Sequence, residues 1–461
     1  MLIYKDKKIA ILGLSVEGVD CASFFSQQQA HITCCDRRSA AELGNSYSHF
    51  KKCSVSFHLG KDYLDHLEQY DIIVRTPGMS PRIPELVKAR QSGVVITSAT
   101  QLFFDVCPAS IIGVTGTKGK GTTSSLISEI FKEEKRNVWL GGNIGIPLLS
   151  SVSKIRPSDV VVYELSSFQL EDLHTSPHIA VVLTITCDHL ANEDPNATNY
   201  HKDITQYREA KMPIVKYQKA EDIVIVNADN ATSKSFAALT PASRFSFSSH
   251  TQMADAYVFG NTVYVRKNGS VSKICSMDEI RLLGVHNLEN IAAASLTAIV
   301  AGASVRSVRR AVTSFCGLPH RLEHVRSLND VSYYNDSFST TPETAIAAIR
   351  SFNTPIILIA GGSDKKSDYT HLGNVLADST VRVLVAIGIT ADKIVRAAHR
   401  AGYKGLVKRN LKTMHEIVSY CAKIARPGDT VLLSPSCASF DMFKNYKERG
   451  NKFNHEVTLL S

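Results

Sequence analysis

The run Ser110-Ile111-Ile112-Gly113-Val114 leads straight into Thr115-Gly116-Thr117-Lys118-Gly119-Lys120-Gly121-Thr122-Thr123, and its character changes abruptly at the join. The first five residues suit a buried strand, and those after Lys120 suit a helix. Between them the glycines let backbone N–H groups face phosphate oxygens, and the helix N-terminus adds favourable partial charge. Lys120 supplies a point charge for terminal phosphates, and a following hydroxyl can bind magnesium. The loop departs from the Walker pattern in two places. That pattern's first glycine falls on Val114, and Gly121 takes the hydroxyl position after the lysine. Thr122 or Thr123 must then serve the metal. Gly116, Thr117, Lys118, Gly119, Lys120, Gly121, Thr122 and Thr123 are the expected ATP contacts.

Downstream, Val160–Tyr163 reads as a buried strand that ends at Glu164. A carboxylate at the carboxyl end of a parallel strand points into the crevice where ligands bind. His189, in Cys187-Asp188-His189, follows the next apolar run, Ile179–Ile185. Glu164 and His189 therefore leave adjacent strand ends and can meet one metal ion. Lys211, in Gln206-Tyr207-Arg208-Glu209-Ala210-Lys211, reads from its neighbours alone as a solvated helix lysine.

Upstream, Lys8–Leu12 runs into Gly13-Leu14-Ser15-Val16-Glu17-Gly18, a strand, a tight turn and a helix, and a second strand, His31–Cys35, ends at Asp36. Past Gly317-Leu318-Pro319-His320-Arg321, a joint between domains, strands are expected at 331–335, 355–360, 381–387 and 430–434. Three small polar loops belong to that region: Asn335-Asp336-Ser337, Gly361-Gly362-Ser363-Asp364-Lys365-Lys366, and the segment 434–441. All three are expected on one carboxyl edge, where they would form a second substrate cleft. Cys437 has no adjacent acid–base partner and reads as packing.

Strands alternate with helical patterns from end to end, so the fold class is α/β with mainly parallel sheets. A chain of 461 residues exceeds one ordinary core. The glycine-rich openings divide it into three domains, residues 1–97, 98–316 and 317–461. These are expected to be a Rossmann-like nucleotide-binding fold, a central P-loop-type ATPase domain and a second Rossmann-like domain. The ten cysteines are scattered without a CxxC pair, which suits reduced thiols in a cytoplasmic enzyme. Apolar runs such as Ile356–Ala360 are of strand length, so no membrane insertion is expected. The formal charge of +9 is dispersed and accompanied by no recognition motif. It suits a polyanionic small substrate, and no nucleic-acid partner is expected.

Together these residues resemble the Mur ligase family, and within it the glutamate-adding branch, over essentially the whole chain. The most specific pieces are Gly141-Gly142-Asn143-Ile144-Gly145, the run Glu164–Glu171, Gly317–Arg321 and Ser434–Gly450. The resemblance implies an ATP-dependent amide ligase of peptidoglycan precursor synthesis, acting as a monomer on UDP-N-acetylmuramoyl-L-alanine, glutamate and ATP. It places Val16, Glu17, Asp36, Arg38, Gly78 and Asn143 on the uridine-diphosphate substrate. It gives Lys120, Thr122, Glu164 and His189 to the ATP phosphates and two Mg2+ ions. It makes Lys211 a carbamylated lysine and metal ligand, against the solvated reading above. Asn287, Asn290, Arg321 and Asp336 match positions around ATP, and Thr340, Lys365, Ser439 and Tyr446 match the pocket for incoming glutamate.

Charge dictates the implied chemistry. The acceptor carboxylate attacks the γ-phosphate of ATP to give an acyl phosphate, and two anions approach only if cations neutralise the phosphate oxygens. The glutamate amine then attacks the activated carbonyl and releases phosphate. A folylpolyglutamate-type ligase shares the lysine–glycine–hydroxyl phase of Lys120-Gly121-Thr122 but predicts no separate domain such as residues 1–97. A regulator that binds the precursor without chemistry would not need Lys120, Glu164, His189 and Lys211 intact. Many family members carry a lysine where this chain has Phe338, and a branch altered in this loop adds L-glutamate. The anchors Thr340, Lys365, Ser439 and Tyr446 remain, which favours D-glutamate.

Overall fold

The computed structural model describes residues 3–50, 55–187, 190, 199–364 and 367–461, and the structural statements below refer to these residues. Their strands form three sheets. The first holds β1 (Lys8–Leu12), β2 (His31–Asp36), β3 (Val55–Leu59), β4 (Ile72–Arg75) and β5 (Val95–Ser98), all parallel, in the order β3-β2-β1-β4-β5. The strand order reverses beside β1, so ligands are expected at the carboxyl ends of β1 and β4. The helix Val16–Gln27 packs tightly on the turn before it, because a Cβ on Gly18 would stand 2.0 Å from the Gly13 carbonyl oxygen.

The second sheet adds β6 (Ile111–Thr115), β7 (Val138–Gly142), β8 (Val160–Glu164), β9 (Ile179–Val182), β10 (Ile223–Asn227), β11 (Ser243–Ser248), β12 (Ala256–Phe259), β13 (Thr262–Lys267) and β14 (Ser270–Ser276). Their order is β14-β13-β12-β11-β10-β9-β6-β8-β7. The pairs from β7 to β12 are parallel, and β12-β13-β14 close antiparallel. The third sheet contains β15 (Glu323–Leu328), β16 (Val331–Asn335), β17 (Ile356–Gly361), β18 (Val381–Ile387), β19 (Leu406–Lys408) and β20 (Thr430–Leu433). It runs β15-β16-β20-β17-β18-β19 and is parallel apart from β15.

Covered faces explain the apolar strands. In β17, Leu358 and Ala360 enter one core while Ile357 and Ile359 enter another, as the two-residue period of a strand requires. In β1, Ile9 and Ile11 likewise part from Ala10 and Leu12. The α/β class and its mainly parallel sheets follow the sequence expectation. By compactness the chain forms two units, Met1–Ser276 with Leu288–Thr313, and Met277–Asn287 with Ser314–Ser461. The first two sheets therefore share one unit. No helix among the described residues is long and apolar enough to cross a membrane.

Candidate active site

In the first unit the candidate site assembles where β6, β8 and β9 end. Register sets Val114 opposite Glu164 and Thr115 opposite Val182, so the glycine-rich loop leaves β6 beside the Glu164 carboxylate. Glu164 is buried, and its Oε1 accepts a hydrogen bond from Asn143 Nδ2 at 3.1 Å. Its Oε2 is buried with no hydrogen-bond partner among the described residues. Such an oxygen is costly unless something binds it, and a divalent cation is a group that fits.

Lys120 opens the helix Lys120–Glu133 and folds back over the loop, donating to the carbonyl oxygens of Gly116 and Thr117 at 3.0 Å each. Gly119 caps that helix at φ +85, and a Cβ there would lie 2.2 Å from Asn290 Oδ1. The missing side chain is what lets Asn290 reach the loop. Lys118 is exposed and Gly121 buried; of the two hydroxyls, Thr122 is half-buried and Thr123 fully buried.

Lys211 is no solvated lysine. It is 1% exposed, and its Nζ donates to Thr115 Oγ1 and to the Gly116 carbonyl at 3.3 Å each. The ammonium also lies 4.6 Å from the centroid of the Tyr207 ring. The Tyr207 hydroxyl shares a 3.1 Å hydrogen bond with Thr117 Oγ1. Two residues one helical turn apart thus pin the helix Ile204–Lys211 beneath the loop. A cavity of about 280 Å³ has Lys120, Asn143, Lys211, Pro77 and Gly78 in its lining. His189 lies outside the described residues.

At the end of β2, Asp36 Oδ2 accepts from the Leu14 N–H at 2.7 Å and ion-pairs with Arg38 at the same distance. Burial pulls the Asp36 carboxyl upward, but the bonds from Arg38 and Leu14 outweigh it and hold the group below its usual range. Val16 is 71% exposed at the start of the first helix. Glu17 accepts from Gln169 Nε2 at 2.9 Å, and burial pushes its carboxyl above the ordinary range.

In the second unit the three polar loops leave the neighbouring parallel strands β16, β20 and β17 and are laced together. The Asp336 N–H donates to the Leu433 carbonyl at 2.8 Å, and the Ser363 N–H donates to the Ala438 carbonyl at 2.8 Å. Asp336 is buried and accepts from Ser434 Oγ at 2.8 Å; burial pushes its carboxyl up to about 6. Ser439 is buried, whereas Thr340, Arg321 and Tyr446 are half-buried. Asn287 is buried and donates from Nδ2 to the Leu283 carbonyl at 2.7 Å. Cys437 is buried with Sγ 3.0 Å from the Tyr369 hydroxyl, as packing would have it. Lys365 lies outside the described residues.

Three contributors escaped the sequence reading. Tyr207 was quoted only as a neighbour of Lys211, although four-residue spacing on one helix face is a usable signal. Gln169 caps its own helix through Ser166 and reaches Glu17, and the Ser166-to-Gln169 spacing is a capping-box signature. Arg75 is 1% exposed and pairs with Asp172, which ties β4 to the second sheet's side of the unit. A lone cation ending the apolar strand Ile72–Arg75 was its only trace in the sequence.

Comparison with known proteins bears on the whole chain. Residues 7–98 match the Mur ligase MurD-like N-terminal domain, 114–298 the Mur ligase middle domain and 320–437 the Mur ligase glutamate ligase domain. A UDP-N-acetylmuramoylalanine–D-glutamate ligase of Acetivibrio thermocellus is 40% identical over 99% of this chain and 97% of its own length. One from Symbiobacterium thermophilum is 40% identical over 99% and 98%. Among solved structures, UDP-N-acetylmuramate-alanine ligase MurC of Thermotoga maritima superposes with a TM-score of 0.62 at 16% identity, covering 98% of this chain and 99% of that one.

Proposed function

This chain belongs to the Mur ligase family, and on that premise we propose that it joins D-glutamate to UDP-N-acetylmuramoyl-L-alanine in an ATP-driven reaction of peptidoglycan precursor synthesis. The observation that carries the reading is the convergence of Lys120, Asn143 and Lys211 with Pro77 and Gly78 on one cavity, in a chain 40% identical to D-glutamate ligases over its full length. Residues 1–97 would hold the uridine diphosphate, 98–316 the ATP and 317–461 the glutamate.

Each residue then has a task. Asp36 and Arg38, locked to each other at the end of β2, present the edge against which the nucleotide is held, with Val16, Glu17 and Gly78 around it. Lys120 exchanges its two carbonyl contacts for terminal phosphate oxygens. Asn287, Asn290, Arg321 and Asp336 are each assigned to ATP. The buried and unpaired Glu164 Oε2, with Thr122, His189 and a carbamylated Lys211, provides oxygen and nitrogen donors suited to two Mg2+ ions. When bound, magnesium supplies positive charge that offsets the phosphates.

With that charge offset, the precursor carboxylate attacks the γ-phosphorus, ADP leaves, and an acyl phosphate results. Thr340, Lys365, Ser439 and Tyr446 hold glutamate so that its amine meets the activated carbonyl. The enzyme is proposed to work in the cytoplasm as a monomer. A phosphate-release assay tests the scheme: release should require ATP, magnesium, the UDP precursor and glutamate together. Release driven instead by a folate-type acceptor would replace it with the rival ligase reading.

A further inference from the structure

Phe338 stands 38% exposed in the loop after β16. Its ring has two partners. The Arg321 guanidinium carbon lies 3.8 Å from the ring centroid. The Tyr446 ring meets it edge to face, with centroids 5.1 Å apart and planes at 88°. Two backbone turns hold this stack together. The Phe338 N–H donates to the His320 carbonyl at 3.0 Å, and the Leu322 N–H donates to Asp336 Oδ1 at 3.2 Å. The residues on either side of Arg321 are thus each bonded to the loop that carries Phe338. Those same residues, His320 and Leu322, have φ of +64 and +44. Left-handed backbone at non-glycine residues persists only where the surroundings over-determine it. The turn is held out of its relaxed shape, and the shape it takes sets the Arg321 guanidinium over the ring.

A guanidinium stacked on an aromatic face keeps its N–H groups in its own plane, where anionic oxygens can reach them. The edge-to-face contact likewise fixes the Tyr446 ring. We propose that Phe338 is a positioning residue: its ring orients Arg321 for the nucleotide and Tyr446 for glutamate, so one side chain serves both substrates. This rests on the assignment of Arg321 to ATP and Tyr446 to glutamate given above. It adds that an apolar residue touching neither substrate adjusts the affinity for both.

The test is the series Phe338→Leu, Phe338→Tyr and Phe338→Lys beside Arg321→Ala, with KM for ATP and for glutamate measured separately from kcat. Losing a cation–π contact corresponds to roughly 3- to 30-fold in binding. Phe338→Leu should raise KM for ATP within that range and KM for glutamate to a smaller degree, with kcat changed less than either. Phe338→Tyr, which keeps the aromatic face, should restore most of the loss, and Phe338→Lys should lose at least as much as Phe338→Leu. The double variant Phe338→Leu/Arg321→Ala should be no worse for ATP than Arg321→Ala alone. A Phe338→Leu enzyme with both KM values within twofold of the parent overturns the proposal, as does a tyrosine variant as impaired as the leucine one. If Arg321→Ala itself leaves KM for ATP unchanged, the assignment of Arg321 to ATP fails, and the proposal fails with it.

Discussion

Lys211 Nζ donates to Thr115 Oγ1 at 3.3 Å from a buried position beneath the glycine-rich loop. A lysine so placed belongs to the site and not to the surface. Replacement by alanine should leave an enzyme that is nearly inactive. If the working form of Lys211 is the carbamate, short-chain carboxylates such as acetate should restore part of the rate by occupying the same space with the same charge. A fully active alanine variant would return Lys211 to an ordinary structural role.

Lys120 offers a second and simpler test. Lys120 donates to two carbonyls of its own loop at the mouth of the site, and Lys120→Ala is expected to keep the fold. Electrostatic stabilisation of this kind is worth on the order of a hundredfold or more in rate. Lys120→Ala should therefore lose at least that in kcat while unfolding at the parent's temperature. Turnover near that of the parent would remove the phosphate-loop assignment.

Arg75 concerns stability. Its side chain is fully buried and paired with Asp172, a residue 97 positions away. Removing one partner of a buried ion pair typically costs about 3–5 kcal/mol, because the other charge is left uncompensated. Burial already pushes the Asp172 carboxyl upward, with Arg75 offsetting only part of it. Arg75→Ala should thus lower the free energy of unfolding by about that amount in a denaturant titration, and a loss below about 1 kcal/mol would contradict the account.

What the sequence revealed, and what it concealed, follows from the range of the interactions. β6, β8 and the glycine-rich loop were legible because a strand period, a glycine turn and a helix start are local patterns. β16, β17, β18 and β20 were found to within a residue or so for the same reason. β15 and β19 were missed: their residues are mixed in burial, and neither presents a continuous apolar run. The antiparallel hairpins β12-β13-β14 were not singled out within an alternation read as mainly parallel. The burial of Lys211 could not be read from the polar helix Ile204–Lys211, since it comes from Thr115 and Gly116, far off in sequence. The Arg75–Asp172 and Glu17–Gln169 pairs are hidden for the same cause. In the Mur-type resemblance, by contrast, Lys211 was singled out at once.

Asp336 gives a dependence on pH. Burial raises its carboxyl from 3.8 to about 6, only partly offset by hydrogen bonds from Ser339 and Ser434. The folded state therefore holds this proton more tightly than the unfolded chain does. Its favourable contribution is fully present below pH 3.8 and is lost as pH rises through about 6. The stability of the parent relative to Asp336→Asn should accordingly fall between pH 4 and pH 7, by up to about 3 kcal/mol. A difference between the two proteins that is flat or rises over that window would contradict the assignment.

The central claim is the identity of the product. Purified protein should be incubated with UDP-N-acetylmuramoyl-L-alanine, ATP and magnesium, with D- and L-glutamate supplied separately and in competition. The product is then weighed by mass spectrometry, with one enantiomer isotopically labelled in the competition. The account predicts one glutamate added per precursor, derived predominantly from the D enantiomer, and dependent on ATP. Predominant incorporation of L-glutamate would contradict the stereochemical assignment, and no glutamate adduct with either enantiomer would contradict the ligase itself.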